Sequence, residues 1–251
     1  MNRFIVISAL LMATACASDR TKPDQSFVIH TIGDSTMAEK RDDRRPETGW
    51  GECIARHLRP DAAVSVRNHA VNGRSTKSFI AEGRWDSVLD SLRPGDYVFI
   101  QFGHNDNKPE DSTRFTNAST IYKENLRRYV NDTRARKATP VLLTSIVRRH
   151  FNESGVLVDT HGGYPDAMRQ VAAELGVTLV DAQLLTEKLV LALGPDSSRS
   201  LYMHLAPTDS PNYPDGRADD THLKTAGAER VAALIINDLK TRDARLAAVF
   251  E

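Results

Sequence analysis

At 251 residues, 40% of them hydrophobic, the chain is long enough for one large α/β domain or two small ones. It carries 33 Lys and Arg against 33 Asp and Glu, a zero formal charge that argues against nucleic acid and against a polybasic membrane surface, since both require clustered cations. Beyond the first residues no apolar run approaches the roughly 20 residues that span a bilayer, so no transmembrane span is expected.

In chain order, MNR carries one positive charge, FIVISALLM is a short apolar stretch and ATACAS is small and neutral. This is the layout of a secretory signal over residues 1–17. ATAC resembles a bacterial lipobox with Cys16 as the lipid-anchor residue, although Ala13 stands where Leu is usual. Plain cleavage after Ala15 or Ala17 is the alternative. The expected location is outside a bacterial cytoplasm: periplasmic, secreted, or an outer-membrane lipoprotein. Residues 18–26 read as a polar tether and 27–251 as a single domain. Cys16 and Cys53 are the only cysteines. Cys53 is then either a small buried hydrophobe or the disulfide partner of Cys16. Two cysteines allow no disulfide framework and no Cys-based zinc site.

From residue 27 the pattern alternates. Apolar runs at 27–33 (FVIHTIG), 62–71, 96–102 (DYVFIQF), 140–147 and 177–181 read as strands. Between them lie helical spacings. In 119–136, Ile121, Leu126, Tyr129 and Val130 form one face. Segment 165–175 opens on Pro165 and stops at Gly176. Segment 223–240 carries Leu223, Val231, Leu234 and Ile235. Five near-continuous apolar strands alternating with helices predict a five-stranded parallel sheet with helices on both faces. Ligands bind beyond the carboxyl ends of such strands.

Polar clusters stand at those ends. Gly33-Asp34-Ser35 follows the first strand, Asn72-Gly73 the second, and Gly103-His104-Asn105-Asp106 the third; Asp219-Asp220-Thr221-His222 precedes the last helix. A serine hydroxyl needs an adjacent base to act as a nucleophile. His222 can supply it, because imidazole titrates near neutrality. Asp219, three residues earlier, can orient His222 if a helical or tight-turn backbone puts both side chains on one side. The Ser35 and Gly73 N–H groups and the Asn105 amide are candidate donors to an oxyanion. Asp34 is expected to brace the turn, and Asp220 to point away from His222.

Taken together, GDS, Gly73 in NG, Asn105 in GHND and DxxH resemble the four blocks of the SGNH (GDSL-like) hydrolase superfamily, in its order. Within it, the segments GDSTMA with GWG, NHAVNGRSTKSF, YVFIQFGHNDNK and DDTHLKTAGAERVA resemble the rhamnogalacturonan acetylesterase group. That resemblance implies a flavodoxin-like three-layer α/β/α fold and deacetylation of an acetylated pectic polysaccharide by a cofactor-free, metal-free Ser-His-Asp mechanism. The alternatives are an SGNH esterase acting on another acetylated polysaccharide such as xylan or on lipid esters, and a non-catalytic polysaccharide-binding lipoprotein. A monomer is expected.

Weaker candidates are substrate contacts. His104 either lines the pocket or packs beside the strand end. Trp85 is a candidate sugar platform, although burial is the commoner fate of such a side chain. Arg148 suits an acidic polymer. The remaining histidines lack metal-ligand spacing. The segment 148–163 is long for a βα connection and is expected to wall the cleft.

Overall fold

The computed structural model describes residues 26–251. The signal, Cys16 and its alternative pairing with Cys53, and the tether up to residue 25 lie outside the described residues. Each predicted apolar run overlaps a strand: β1 (Phe27–Gly33), β2 (Val64–Asn68), β3 (Tyr97–Gln101), β4 (Thr139–Leu143), which starts one residue before the predicted run and ends four before its close, and β5 (Thr178–Val180). They form one parallel sheet in the order β2-β1-β3-β4-β5. The chain steps from β1 to β2 on one side, then crosses to β3 on the other. β1 and β3 are therefore neighbours at the reversal of strand order, and Gly33 pairs with Gln101 where both strands end. A crevice opens at such a point.

Alternation along the strands divides the core in two. Ile29, Tyr97, Phe99, Val141 and Leu143 pack with α1 (Trp50–Cys53), α6 (Ala182–Ser197), α7 (Thr225–Arg242) and α8 (Ala244–Val249). Ile32, Val98, Ile100 and Leu142 pack with α2 (Thr76–Ala81), α3 (Arg84–Ser91), α4 (Ile121–Ala135) and α5 (Tyr164–Leu175). This is the three-layer arrangement. Cys53 is wholly buried in the first of these cores.

α5 carries Pro165 in its first turn and ends at Gly176, whose φ of 57° is left-handed. α4 corrects one expected contact. Ile121 is its first residue and is 43% exposed, while Tyr122 is buried and donates to the Phe102 carbonyl at 2.8 Å. A helical side chain covers the turn before its own Cα, and the first residue has no such turn.

The sequence reading did not assign α2, α3, α6 or α8. It also missed an antiparallel pair outside the main sheet, β6 (Tyr202–Leu205) and β7 (Arg217–Leu223). α6 has leucines on several sides, with Leu184 and Leu191 exposed, so no single stripe stands out. Leu223 is a further correction. It pairs with Tyr202 as the last residue of β7 rather than opening the helix.

Candidate active site

The Ser35 turn is built from close approach. A side chain on Gly33 would meet the Gln101 carbonyl oxygen at 2.7 Å, so only glycine lets β1 leave the sheet here. Asp34, wholly buried, then ties the turn. Its Oδ1 accepts from the Thr36 N–H and hydroxyl, both at 2.9 Å, and its Oδ2 faces His104 Nδ1 at 3.1 Å. Burial opposes ionisation of Asp34, yet these donors hold its carboxyl below the usual range. Burial pulls His104 down while Asp34 opposes this, and facing a carboxylate oxygen its Nδ1 is the donor of the pair. Trp50 braces the turn from behind: its Nε1 donates to Gln101 Oε1 at 2.6 Å, and Gln101 Nε2 donates to Thr36 Oγ1 at 3.1 Å.

Ser35 is half-buried, with its Oγ 2.9 Å from His222 Nε2. His222 Nδ1 lies 2.9 Å from Asp219 Oδ2. The route to this pairing is not the one the sequence suggested. Asp219 and His222 lie on a strand, where residues three apart point to opposite faces. The register between β6 and β7 shifts at Tyr202/Met203: Leu223 faces Tyr202, but Asp219 already faces Met203. The extra residues bulge, and Asp219 Oδ1 accepts from the N–H groups of Thr221 at 2.8 Å and His222 at 3.0 Å. The carboxylate folds its own chain around itself and brings the imidazole back to its second oxygen. Burial would raise the Asp219 carboxyl. Bonds from His222 and from Arg217, whose Nη2 is 2.6 Å away, hold it far below the carboxylate range.

Asp220 points away, as expected. Its Oδ1 bonds Arg149 Nε and His204 Nε2, both at 2.7 Å.

Gly73 has φ 77°, a left-handed turn residue with no side chain over its N–H. Among the described residues, neither the Ser35 nor the Gly73 N–H donates to another group. Asn105 is buried. Its Nδ2 donates to the Arg74 carbonyl at 3.1 Å, which leaves one amide hydrogen free, and its Oδ1 accepts from Arg114 Nη1 at 3.3 Å. Asp106, next in the chain, caps α2: Thr76 N–H, Thr76 Oγ1 and Thr116 Oγ1 all donate to its Oδ1.

The weaker candidates fall elsewhere. Trp85 is 0% exposed, donates through Nε1 to Asp132 at 2.9 Å and meets Tyr129 edge-on, so it offers no face to a sugar. Its helix turns it into the core, which burial of a large aromatic favours. His104 is buried beneath the site, edge-on to the equally buried His161. Arg148 donates to Thr160 and, at 3.2 Å, to the His104 carbonyl. It fastens the 148–163 segment to the GHND turn instead of reaching into solvent. Arg217, Arg114 and Lys40 were not singled out by sequence. For Arg217 a signal existed: strand residues two apart share a face, and Arg217 stands two before Asp219.

Comparison with known proteins now decides the lineage. A model of the GDSL-like lipase/acylhydrolase family matches residues 31–230. The chain belongs to that family. Among curated relatives of this GDSL-like chain, rhamnogalacturonan acetylesterase RhgT of Bacillus subtilis is 39% identical over 219 residues, 87% of this chain and 90% of that protein. A rhamnogalacturonan acetylesterase of Emericella nidulans is 29% identical, covering 85% of this chain and 89% of its own. Among solved structures, the YxiM protein of B. subtilis superposes with a TM-score of 0.73 at 26% identity, over 87% of this chain and 57% of that one. Axe2, an acetylxylan esterase of Geobacillus stearothermophilus, superposes with a TM-score of 0.62 at 21% identity, over 85% and 94% respectively. The sheet and its flanking helices are thus those of GDSL-like, SGNH-type hydrolases.

Proposed function

We propose that this protein is an exported serine esterase that removes O-acetyl groups from rhamnogalacturonan. The observation that carries the reading is the placement of His222 2.9 Å from both the Ser35 hydroxyl and the Asp219 carboxylate. The names of the relatives that match most of the chain support the substrate.

Ser35 Oγ attacks the acetyl carbonyl while His222 Nε2 takes its proton. Asp219 accepts from Nδ1–H and so fixes the tautomer and stabilises the imidazolium. The Ser35 and Gly73 N–H groups and the free Asn105 amide hydrogen receive the negative oxygen. The tetrahedral adduct collapses, the C–O bond to the sugar breaks, and His222 returns the proton to the departing sugar hydroxyl. Water, deprotonated by His222, then attacks the acetyl-enzyme. Acetate leaves and Ser35 regains its proton. Among the described residues no cluster of three metal-ligating side chains occurs.

The test is acetate release from acetylated rhamnogalacturonan, with acetylated xylan in parallel, by the wild type and Ser35→Ala. Release from the pectic polymer should vanish in a folded variant. Release chiefly from xylan would keep the mechanism and replace the substrate. Near-normal release by Ser35→Ala would end the mechanism. Binding of either polymer without any release would leave a carbohydrate-binding protein.

A further inference from the structure

Lys40 has no part in the steps above, yet it is 4% exposed and sits beneath them. Its Nζ donates to the Ser35 carbonyl at 2.5 Å and to Asn72 Oδ1 at 2.7 Å, and pairs with Glu47 Oε1 at 3.0 Å. An ammonium has three hydrogens and no acceptor site, and these three oxygens surround it. Each acceptor belongs to a different part of the site. Ser35 is in the nucleophile turn. Asn72 immediately precedes Gly73. Glu47 forms a backbone bridge to Lys224, and the next residue, Thr48, donates its N–H to the Leu223 carbonyl at 2.9 Å. Those two residues directly follow His222.

The ammonium therefore stands one bond from the nucleophile turn, one bond from the oxyanion turn, and one residue's breadth from the strand that carries the base. The backbone of Lys40 is held as well: its N–H donates to Glu52 Oε1 at 3.1 Å, which also accepts from Gly49 N–H at 2.8 Å. Burial pulls the Lys40 ammonium down while Glu47 opposes this. Lys40 meets the Ser35 carbonyl and not its hydroxyl, so it is no base.

We propose that Lys40 is a positioning residue, whose ammonium sets the spacing between the Ser35 turn, the Gly73 turn and the His222 strand so that the oxyanion donors and the base meet one substrate atom. This rests on the esterase reading above. A buried ion pair is weak evidence for stability, since apolar residues of similar volume often replace one without loss. A pair whose third and fourth partners are the two oxyanion-bearing turns has a geometric task.

The experiment compares wild type, Lys40→Met, Asn72→Ala and Ser35→Ala for hydrolysis of 4-nitrophenyl acetate and for affinity to an arylboronic acid, which forms a tetrahedral adduct on a reactive serine. A misplacement near 1 Å can cost about a hundredfold, so Lys40→Met should lose about 10- to 100-fold in kcat with KM nearly unchanged. Boronate affinity of the folded protein should weaken by the same factor. Asn72 is exposed, so Asn72→Ala will fold, and it should show the same pattern at smaller amplitude. Wild-type kcat per folded molecule in both variants overturns the proposal. So does a fall in kcat with boronate affinity intact. If Lys40→Met does not fold, Asn72→Ala decides alone: loss of kcat and boronate affinity together supports the proposal, and their retention overturns it. Activity surviving in Ser35→Ala is a different failure, that of the esterase reading itself.

Discussion

Asp219 Oδ2 faces two donors at once: His222 Nδ1 at 2.9 Å and Arg217 Nη2 at 2.6 Å. Arg217 steadies the carboxylate but places a positive charge close to an imidazole that must become positive in the reaction. The base must be neutral to act, so kcat/KM should rise with pH as one imidazole loses its proton. Asp219, held far below its usual range, stays ionised throughout that rise. Removing the guanidinium in Arg217→Met takes one donor from the carboxylate that orients His222, so kcat should fall by roughly tenfold with KM nearly unchanged. Stopped assays with an aryl acetate from pH 4 to 9 measure this. A flat wild-type profile with chemistry rate-limiting would exclude a histidine base, and wild-type kcat in Arg217→Met would exclude this role for Arg217.

At the scale of elements, Trp85 separates a packing role from a binding one. It lies in α3 against Tyr129 of α4, wholly buried. Truncation of a buried Trp to Ala costs about 3–5 kcal/mol. Trp85→Ala should show that loss in urea denaturation, with unchanged KM for acetylated oligosaccharide per folded molecule. A raised KM with intact stability would return Trp85 to the substrate. Elements of this kind divide what was legible from what was not. The five strands were readable because buried parallel strands are continuous apolar runs bounded by turn residues. Pro165 and Gly176 marked α5 by backbone chemistry alone. The β6–β7 pair was not readable: Arg217–Leu223 is mostly polar, and its strand character comes from pairing with Tyr202–Leu205 and from the bulge that Asp219 stabilises. That Ser35, Asp219 and His222 come together was still readable, because a nucleophile, a base and an orienter are demanded as residue types. The backbone that joins Asp219 to His222 could not, because it depends on a partner strand. Lys40 escaped for the same reason: its partners, the Ser35 carbonyl, Asn72 and Glu47, are brought close only by the fold.

The whole molecule places its site over a layer of buried polar groups, and this layer should govern how stability varies with pH. Asp106 is wholly buried, and burial pushes its carboxyl up to about 7, although Thr76 and Thr116 donate to it and oppose the rise. Those bonds are also what joins the Asn105 turn to the start of α2. In an unfolded chain the same carboxyl titrates near 4. Between these values the native state holds a proton that the unfolded state has released. Stability contributed by this group is therefore full below about pH 4 and is lost as pH rises towards 7. The loss should be on the order of a few kcal/mol, because each unit of difference corresponds to about 1.4 kcal/mol. Asp106→Asn keeps the acceptor oxygen for the Thr76 N–H and removes the charge. Urea midpoints measured every half unit from pH 4 to 8 should fall less steeply in the variant than in the wild type, with the two curves diverging most above pH 7. Parallel curves would mean that Asp106 is ionised across the range, its burial outweighed by the three donors around it.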